Sequence, residues 1–448
     1  MSNQAWKDGE GRDEVEAGES VFALVERAFP ICRSITGNGV RETLRLLQEE
    51  IGDGAKLEVR EIPTGTQVFD WRVPKEWNVR GAWIDGPGGQ RVVDFADHNL
   101  HLLNYSMPFR GTLGLEELKS HLYSDPDRPT VIPYRTSYYQ ERWGFCLPHE
   151  QLESLPDGDY EVVVDTTLED GHLTLGEVVL PGESEDSVLL SAHVCHPSLA
   201  NDNLSALGVT AHLVRRLAAM PRRRYTYRIV LAPGTIGAIV WLAHNEDVAL
   251  RIRHGLVLAN LGDGGGDHGT FHYKRCQRED AVIDRAVVKV LEDAGEAFEV
   301  EDFSPFGYDE RQYCSPGFDL PVGSLAQTPW GRYPEYHSSA DNLDLIRPEF
   351  LGRSLCRLVE VIHLLENNRT FRNLHPKCEP QLGNRGLYST LGGGDTGRER
   401  QLALLWVLNQ SDGTNSLLDI AERSGKSFRI IQEAAAVLVE ADLLEPID

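Results

Sequence analysis

The stretch SVLLSAHVCHPSLANDNLS, residues 187–205, decides the fold. SVLLSAH carries the apolar run Val188–Leu190 with only small Ser and Ala residues around it before His193, the pattern of a strand covered on both faces of a parallel sheet. A helical pattern, Ser205–Met220, follows at once. Open α/β sheets bind ligands beyond the carboxyl ends of their strands, and that position here carries His193, His196 and Asp202 within ten residues. Imidazole nitrogen and carboxylate oxygen are ligands of choice for zinc, and a His leaving a strand can converge on one ion with an Asp at the next helix entry. In a continuing strand His193 and His196 would face opposite sides, so both reach the ion only if the chain bends at Pro197, and His193 ranks first. The competing reading is a plain turn in which Asn201 or Asp202 caps the helix.

The same alternation continues on both sides. Strand patterns at Lys56–Ile62, Leu173–Leu180, Tyr225–Leu231 and Gly255–Leu261 alternate with helical ones at 18–29, Val40–Glu50, Gly237–Asn245, Asp280–Ala294 and Pro348–Asn367. This implies an α/β fold, a mostly parallel twisted sheet flanked by helices. Between 66 and 168 the texture changes to strand-like runs set off by turn signals: VFDWRV, GAWIDGPGGQRVVDF, HNLHLLNYS, RWGFCL and DYEVVVD. Asp85-Gly86-Pro87-Gly88-Gly89 is a hairpin turn by composition. After a Gly- and charge-rich linker at 391–400, helical patterns at Gln401–Asn409, Leu417–Ser424 and Ser427–Glu440 flank the turn Ser424-Gly425-Lys426, as in a helix-turn-helix. The expected layout is an α/β domain from 1–65 and 169–390, an inserted mostly-β domain at 66–168, and a winged-helix-like domain at 398–448.

Composition narrows the function. The 448 residues hold 44 Lys+Arg against 69 Asp+Glu, a formal charge of -25. That excess argues against a phosphate-backbone binder and against docking on anionic lipid. The second helix of the helix-turn-helix, SFRIIQEAAAVLVEA, carries one Arg and two Glu, the wrong balance for reading DNA. No stretch approaches about 18 consecutive apolar residues, so no membrane span is expected. The N-terminus is polar and acidic, without the apolar run of an export signal. Seven cysteines are scattered singly without a C-x-x-C pattern, which predicts free thiols in a reducing cytoplasm.

Two further loops fall at strand exits. YPEYHSSADN, residues 333–342, follows the strand pattern LPVGSL and offers His337, with Glu335, Tyr336 and Asp341 beside it. LGDGGGDH, residues 261–268, offers Asp263. Taken alone, the first reads better as a surface loop histidine, and the second reads equally well as a plain turn. Three His/Asp loops at strand exits of one sheet together point to a metal site, and two His with one Asp leave zinc an open position, as catalysis requires.

The runs AHVCHPSLANDNLS, YDERQYCSPGFDLPVGSL and GRYPEYHSSADNLDLI resemble a bacterial aminopeptidase-like family of unknown function. PTGTQVFDWRVPKEWNVR, SYYQERWGFCL and SDGTNSLLDIAERSG fit the same pattern, so the resemblance covers nearly the whole chain. It implies a zinc-aminopeptidase-type α/β domain, an inserted β module and a winged helix, within the superfamily of co-catalytic zinc aminopeptidases and glutaminyl cyclases. It further implies His193, Asp202 and His337 as metal ligands, with Asp263 the nearest match to a further Asp after the next strand.

The chain also departs from the pattern. Where the family reads Pro-Glu-Thr-Ile-Gly-Ser, this sequence reads Pro233-Gly234-Thr235-Ile236-Gly237-Ala238, and the Asp of the superfamily's His-x-Asp pair is Cys195. Gly234 removes the general base, and Thr235 is a poor ligand for a second ion, so one zinc is expected. Glu335 and Asp263 stand as substitute bases, Asp309 and Glu310 as groups for a substrate amine, and Arg33 as a partner for a substrate carboxylate. His196 and Tyr336 complete the substrate side. The expected function is hydrolysis of a peptide or aminoacyl amide beside a free amine. The alternatives are a non-hydrolytic zinc enzyme of amide cyclisation or aminoacyl transfer, and a zinc-binding, peptide-recognising pseudoenzyme. A homo-oligomer built on the aromatic inserted module is also open.

Overall fold

The computed structural model describes residues 12–264, 269–387 and 395–447, so Asp267, His268 and the linker residues 391–394 lie outside it. The chain forms two compact units. One comprises residues up to 281 together with 297–356, and the other 282–296 together with 357 onward.

The first unit is built on an eight-stranded sheet. Its strands, numbered for this sheet alone, are β1 (Leu57–Pro63), β2 (His172–Leu180), β3 (Ser187–His193), β4 (Thr226–Ala232), β5 (Ile252–Leu258), β6 (Phe271–Lys274), β7 (Phe298–Glu301) and β8 (Val322–Ala326). The spatial order is β1-β2-β4-β3-β5-β8-β6-β7. The centre, β4-β3-β5-β8, is parallel, while β1, β2 and the β8–β6 pairing are antiparallel. Every residue of β3 is buried, which its apolar run requires of a central strand. Helices Asn38–Ile51, Ala206–Ala218 and Ile236–His244 accompany the sheet. Val40, Leu44, Leu47 and Ile51 form the buried stripe of the first of these at helical spacing.

Residues between β1 and β2 form the inserted β structure, a four-stranded antiparallel sheet of Glu76–Asp85, Arg91–Asp94, Phe109–Gly114 and Asp159–Glu169. The Asp85–Gly89 turn closes a hairpin, with Gly88 and Gly89 at φ of 96° and 81°, a left-handed region that suits glycine. HNLHLLNYS, which its alternation predicts as a strand, is instead a single turn of 3-10 helix followed by irregular chain. Leu100, Leu102, Leu103 and Tyr105 are all buried there, so no face is left to solvent and the alternation has no sheet to match.

In the second unit, helices Asp395–Gln410, Leu417–Ser424 and Phe428–Glu440 stand with a three-stranded sheet of Asp412–Ser416, Thr370–Asn373 and Leu444–Pro446, a winged-helix arrangement. The middle strand comes from Thr370–Asn373, well before the helices. Ser416 and Asp419 form a capping box, and Gly425 ends the same helix in the left-handed conformation. Arg285 pairs with Asp419 and Glu422. Among the described residues no helix is long and apolar enough to cross a membrane.

Candidate metal centre

β3 ends on His193, and the chain then turns away instead of continuing as a strand. That bend removes the alternation that would have separated the two histidines, and the ring of His196 lies 4.8 Å from that of His193. Both face Asp202, which is fully buried at the start of the next helical segment. His193 Nε2 is 2.8 Å and His196 Nδ1 3.3 Å from Asp202 Oδ1. His337, delivered by the loop after β8, places Nε2 3.0 Å from Asp202 Oδ2. The Asp202 side chain therefore does not cap the helix, and its two oxygens are shared by three imidazoles.

The electrostatics follow from burial and this crowding. Burial alone would raise the Asp202 carboxyl, but the surrounding His196, His193 and His337 outweigh it and hold it well below the usual carboxylate range. Burial works to lower His193, yet its bond to Asp202 raises it above the ordinary imidazole value. At His196 burial wins and pushes the ring down to about 4, leaving a neutral imidazole at physiological pH. Cys195, buried beside them, is pushed up to about 12 by desolvation and stays a thiol.

The support comes from distant segments. Asp341 accepts from the backbone N–H groups of Asn201 (2.6 Å) and Asp202 (3.1 Å) and from the Tyr333 hydroxyl (3.2 Å), fixing the segment that carries Asp202. The Asn203 amide lies 3.2 Å from His193 Nδ1 and donates to the Leu258 carbonyl at the end of β5. Tyr308 stacks on His193, and Tyr336 on His337 at 3.9 Å. From the inserted segment, Tyr134 sets its ring edge-on to both His196 and His337 and donates its backbone N–H to the His337 carbonyl. Arg128 reaches the carbonyls of Pro334 and Tyr336. The insertion thus helps to build the site. Tyr134, Tyr308 and Asn203 were not singled out from the sequence; their only signal was an aromatic-rich insertion and adjacency to known motifs.

Arg33 is 1 % exposed, and its Nη2 has no hydrogen-bond partner. Its guanidinium donates to the backbone carbonyls of His196 (2.7 Å) and Ala28 (2.8 Å), so it braces the loop behind His196.

The carboxylates sort by position. Gly234 follows β4 at the same sheet edge, and a Cβ there would lie 3.2 Å from the His193 Cβ and 3.5 Å from Asp309 Oδ1. Asp309 is buried, that oxygen has no hydrogen-bond partner, and burial pushes the acid up to about 7 against the pull of His193. Glu310 is completely buried and pairs with Lys274 at 2.8 Å. Glu335 is half-buried, and its backbone carbonyl accepts from Ser338. Asp263 is half-buried and lies in the electrostatic surroundings of Tyr333. The Glu335 side chain adds no atom to the hydrogen bonds and ion pairs around Asp202.

The donor set suits zinc. His193, His196 and Asp202 each offer a ligand atom within 4.8 Å of one another, and His337 joins through the other carboxylate oxygen. A fully buried carboxylate answered only by imidazoles, with no Lys or Arg paired to it among the described residues, is a donor set that fits a divalent cation.

Known proteins share this architecture. Residues 22–368 match the family described as Domain of unknown function (DUF4910), and residues 369–446 match the winged helix-turn-helix model. A Clostridium acetobutylicum protein, described as a polysaccharide biosynthesis protein with an aminopeptidase-like domain, is 48% identical over 430 residues, 96% of this chain and 97% of the relative. A crystal structure of a C. acetobutylicum protein described as a peptidase superposes with a TM-score of 0.91 at 46% identity, covering 97% of this chain and 98% of that one. The zinc aminopeptidase of Bacillus subtilis shares the fold at a TM-score of 0.57 and 13% identity, over 78% of this chain and 94% of its own.

Proposed function

This chain belongs to the DUF4910 family, and on that premise we propose that it is a one-zinc hydrolase of an amide bond next to a free amine, acting in a biosynthetic setting. The observation that carries the reading is the convergence of His193, His196 and His337 on the two oxygens of buried Asp202, at the carboxyl edge of the parallel strands. His193, Asp202 and His337 would hold the ion, with His196 a fourth donor or a contact for the substrate. A zinc ion bound there supplies Lewis-acid polarisation of the scissile carbonyl.

The remaining work falls to the chain's own carboxylates. Gly234 offers none, and the unpartnered oxygen of Asp309 points to where a side chain at 234 would begin. Asp309 is therefore the base that takes a proton from the attacking water and returns it to the leaving amine as the C–N bond breaks. Glu335, whose side chain makes no hydrogen bond or ion pair with the Asp202 cluster among the described residues, is a poorer choice for that step. Tyr134 and Tyr336, packed on His337, wall the substrate side.

Gly234 also favours a second reading. Amide cyclisation or aminoacyl transfer uses the substrate's own amine as nucleophile and does not need water activated. The biosynthetic name of the Clostridium relative suits this reading as well as hydrolysis. Zinc-loaded protein incubated with aminoacyl amides, short peptides and N-acylated amino sugars, followed by mass spectrometry, separates them. Hydrolysis adds one water across the bond, cyclisation loses ammonia or water, and transfer adds the aminoacyl group to an acceptor. Binding without any product would leave a pseudoenzyme and overturn both.

A further inference from the structure

We propose that the cavity beyond Tyr308 is a subsite for one hydroxyl-rich ring, a monosaccharide unit of the substrate. As the substrate class of the metal centre this rests on the amide-hydrolase reading; as a binding site it does not.

The cavity opens beside β6 and β8 and holds about 300 Å³, the lower end of the range for small-molecule sites and room for a single ring rather than a peptide. One side chain joins it to the metal centre. Tyr308 lines the cavity, its ring stacks on His193 at 5.8 Å and 19°, and its hydroxyl accepts from the Asn260 amide and the Trp330 backbone N–H. An occupant therefore sits one aromatic ring away from the residues around Asp202.

Three features of the lining choose the occupant. Glu310 is completely buried, with one oxygen on Lys274 at 2.8 Å and the other without any hydrogen-bond partner. A buried carboxylate oxygen left bare is unfavourable, which favours an occupant that brings an N–H or O–H donor. Second, the lining charges are matched: Lys274 with Glu310, and Arg332 with Glu301. There is no net charge to select an acidic or basic side chain, whereas adjacent hydroxyls can donate to Glu310 and accept from Lys274 together. Third, Phe306 and Trp330 meet edge to face at 4.9 Å on the lining while remaining 59% and 40% exposed. Exposed aromatic faces beside buried polar groups suit a ring that is apolar on its C–H face and polar at its rim.

Saturation-transfer NMR on the full-length protein, with N-acetylglucosamine and glucose as sugar probes and alanyl-alanine as the peptide probe, tests this. The expected result is saturable transfer to sugar ring protons, weakened about tenfold in both Trp330→Ala and Phe306→Ala and undiminished after zinc is chelated. Alanyl-alanine should not displace the sugar. The proposal is overturned if neither sugar shows saturable transfer, if both variants bind as the parent does, or if the dipeptide competes for the same site. Because these surface variants expose little core, circular dichroism will show them folded. The two readings fail separately. Sugar binding without amide turnover leaves the subsite standing and removes the hydrolase, while turnover of simple aminoacyl amides with no sugar binding does the reverse.

Discussion

A Cβ placed on Gly234 would stand 3.5 Å from Asp309 Oδ1 and 3.2 Å from the Cβ of His193. The two positions, on separate loops, therefore compete for one place beside His193, and only one of them can supply a carboxylate there. Asp309→Asn should lower kcat by about 10²–10⁴-fold, the usual worth of a positioned base, with little change in bound zinc. Gly234→Glu alone should give no gain, since it sets a second acid against Asp309. The pair Gly234→Glu with Asp309→Asn should recover at least tenfold over Asp309→Asn. Steady-state rates on an aminoacyl amide check all three. Full activity in Asp309→Asn would remove the assignment.

The three imidazoles around Asp202 set the metal prediction. Purified without chelator, the protein should carry close to one equivalent of zinc by elemental analysis. His193→Ala and Asp202→Asn should each retain less than about a tenth of that. Stripping the zinc should lower thermal stability, because an ion that binds only the folded state contributes about 2.7 kcal/mol at a hundred times its Kd. Wild-type zinc content in His193→Ala would show that the cluster is a buried polar network and nothing more.

Arg33 should matter through the loop it braces. Arg33→Met keeps most of the apolar stem but leaves the His196 carbonyl without this donor, while Ala28 keeps the Ile31 N–H. An unmet buried group of this kind costs about 1–3 kcal/mol. Chemical denaturation should show that loss, and zinc affinity should fall about tenfold or more as His196 loosens. A substrate-binding role predicts instead a raised KM with unchanged stability and unchanged zinc affinity.

The central fold was legible because each of its elements declares itself locally. In SVLLSAH the run Val188–Leu190 is apolar on both faces, which suits a doubly covered strand, and the helix entry at Asn203–Ser205 sets the direction of crossing. His193, Asp202 and His337 were legible for the same reason, each lying at a strand exit or the next helix entry. What could not be read is closure at long range. Tyr134 reaches His337 only because the inserted module folds back on the 334–338 loop, and the bridge Pro133–Ser338 has no periodicity to announce it. HNLHLLNYS misled for a related reason. Its backbone N–H groups at Leu103 and Asn104 pair one at a time with Gly144 and Arg135 instead of along a ladder, which the alternation of its side chains does not encode. For Arg33, residue type announces an anion partner but not the backbone carbonyls of Ala28 and His196 that two of its nitrogens meet.

Stability should also depend on pH through His254, a buried imidazole in β5. Burial, with Arg224 and Arg253 adding to it, pushes this ring from 6.5 down to about 4. A base with a lowered folded value binds fewer protons when folded than when unfolded. Its contribution is therefore complete above pH 6.5 and drains away as the pH falls from 6.5 through 4, by roughly 3 kcal/mol at the lower end. The carboxyls of Asp309 and Asp341, pushed up to about 7 by burial, slope the other way, since each binds more protons when folded. Comparing parent with His254→Leu cancels those carboxyls and isolates the imidazole. Urea midpoints at pH 7.0 and 5.0 should show the parent losing stability by about 1–2 kcal/mol more than His254→Leu over that interval. Equal losses in the two chains would mean that His254 is protonated in the folded protein, paired with Asp186, and that its burial is not what sets its charge.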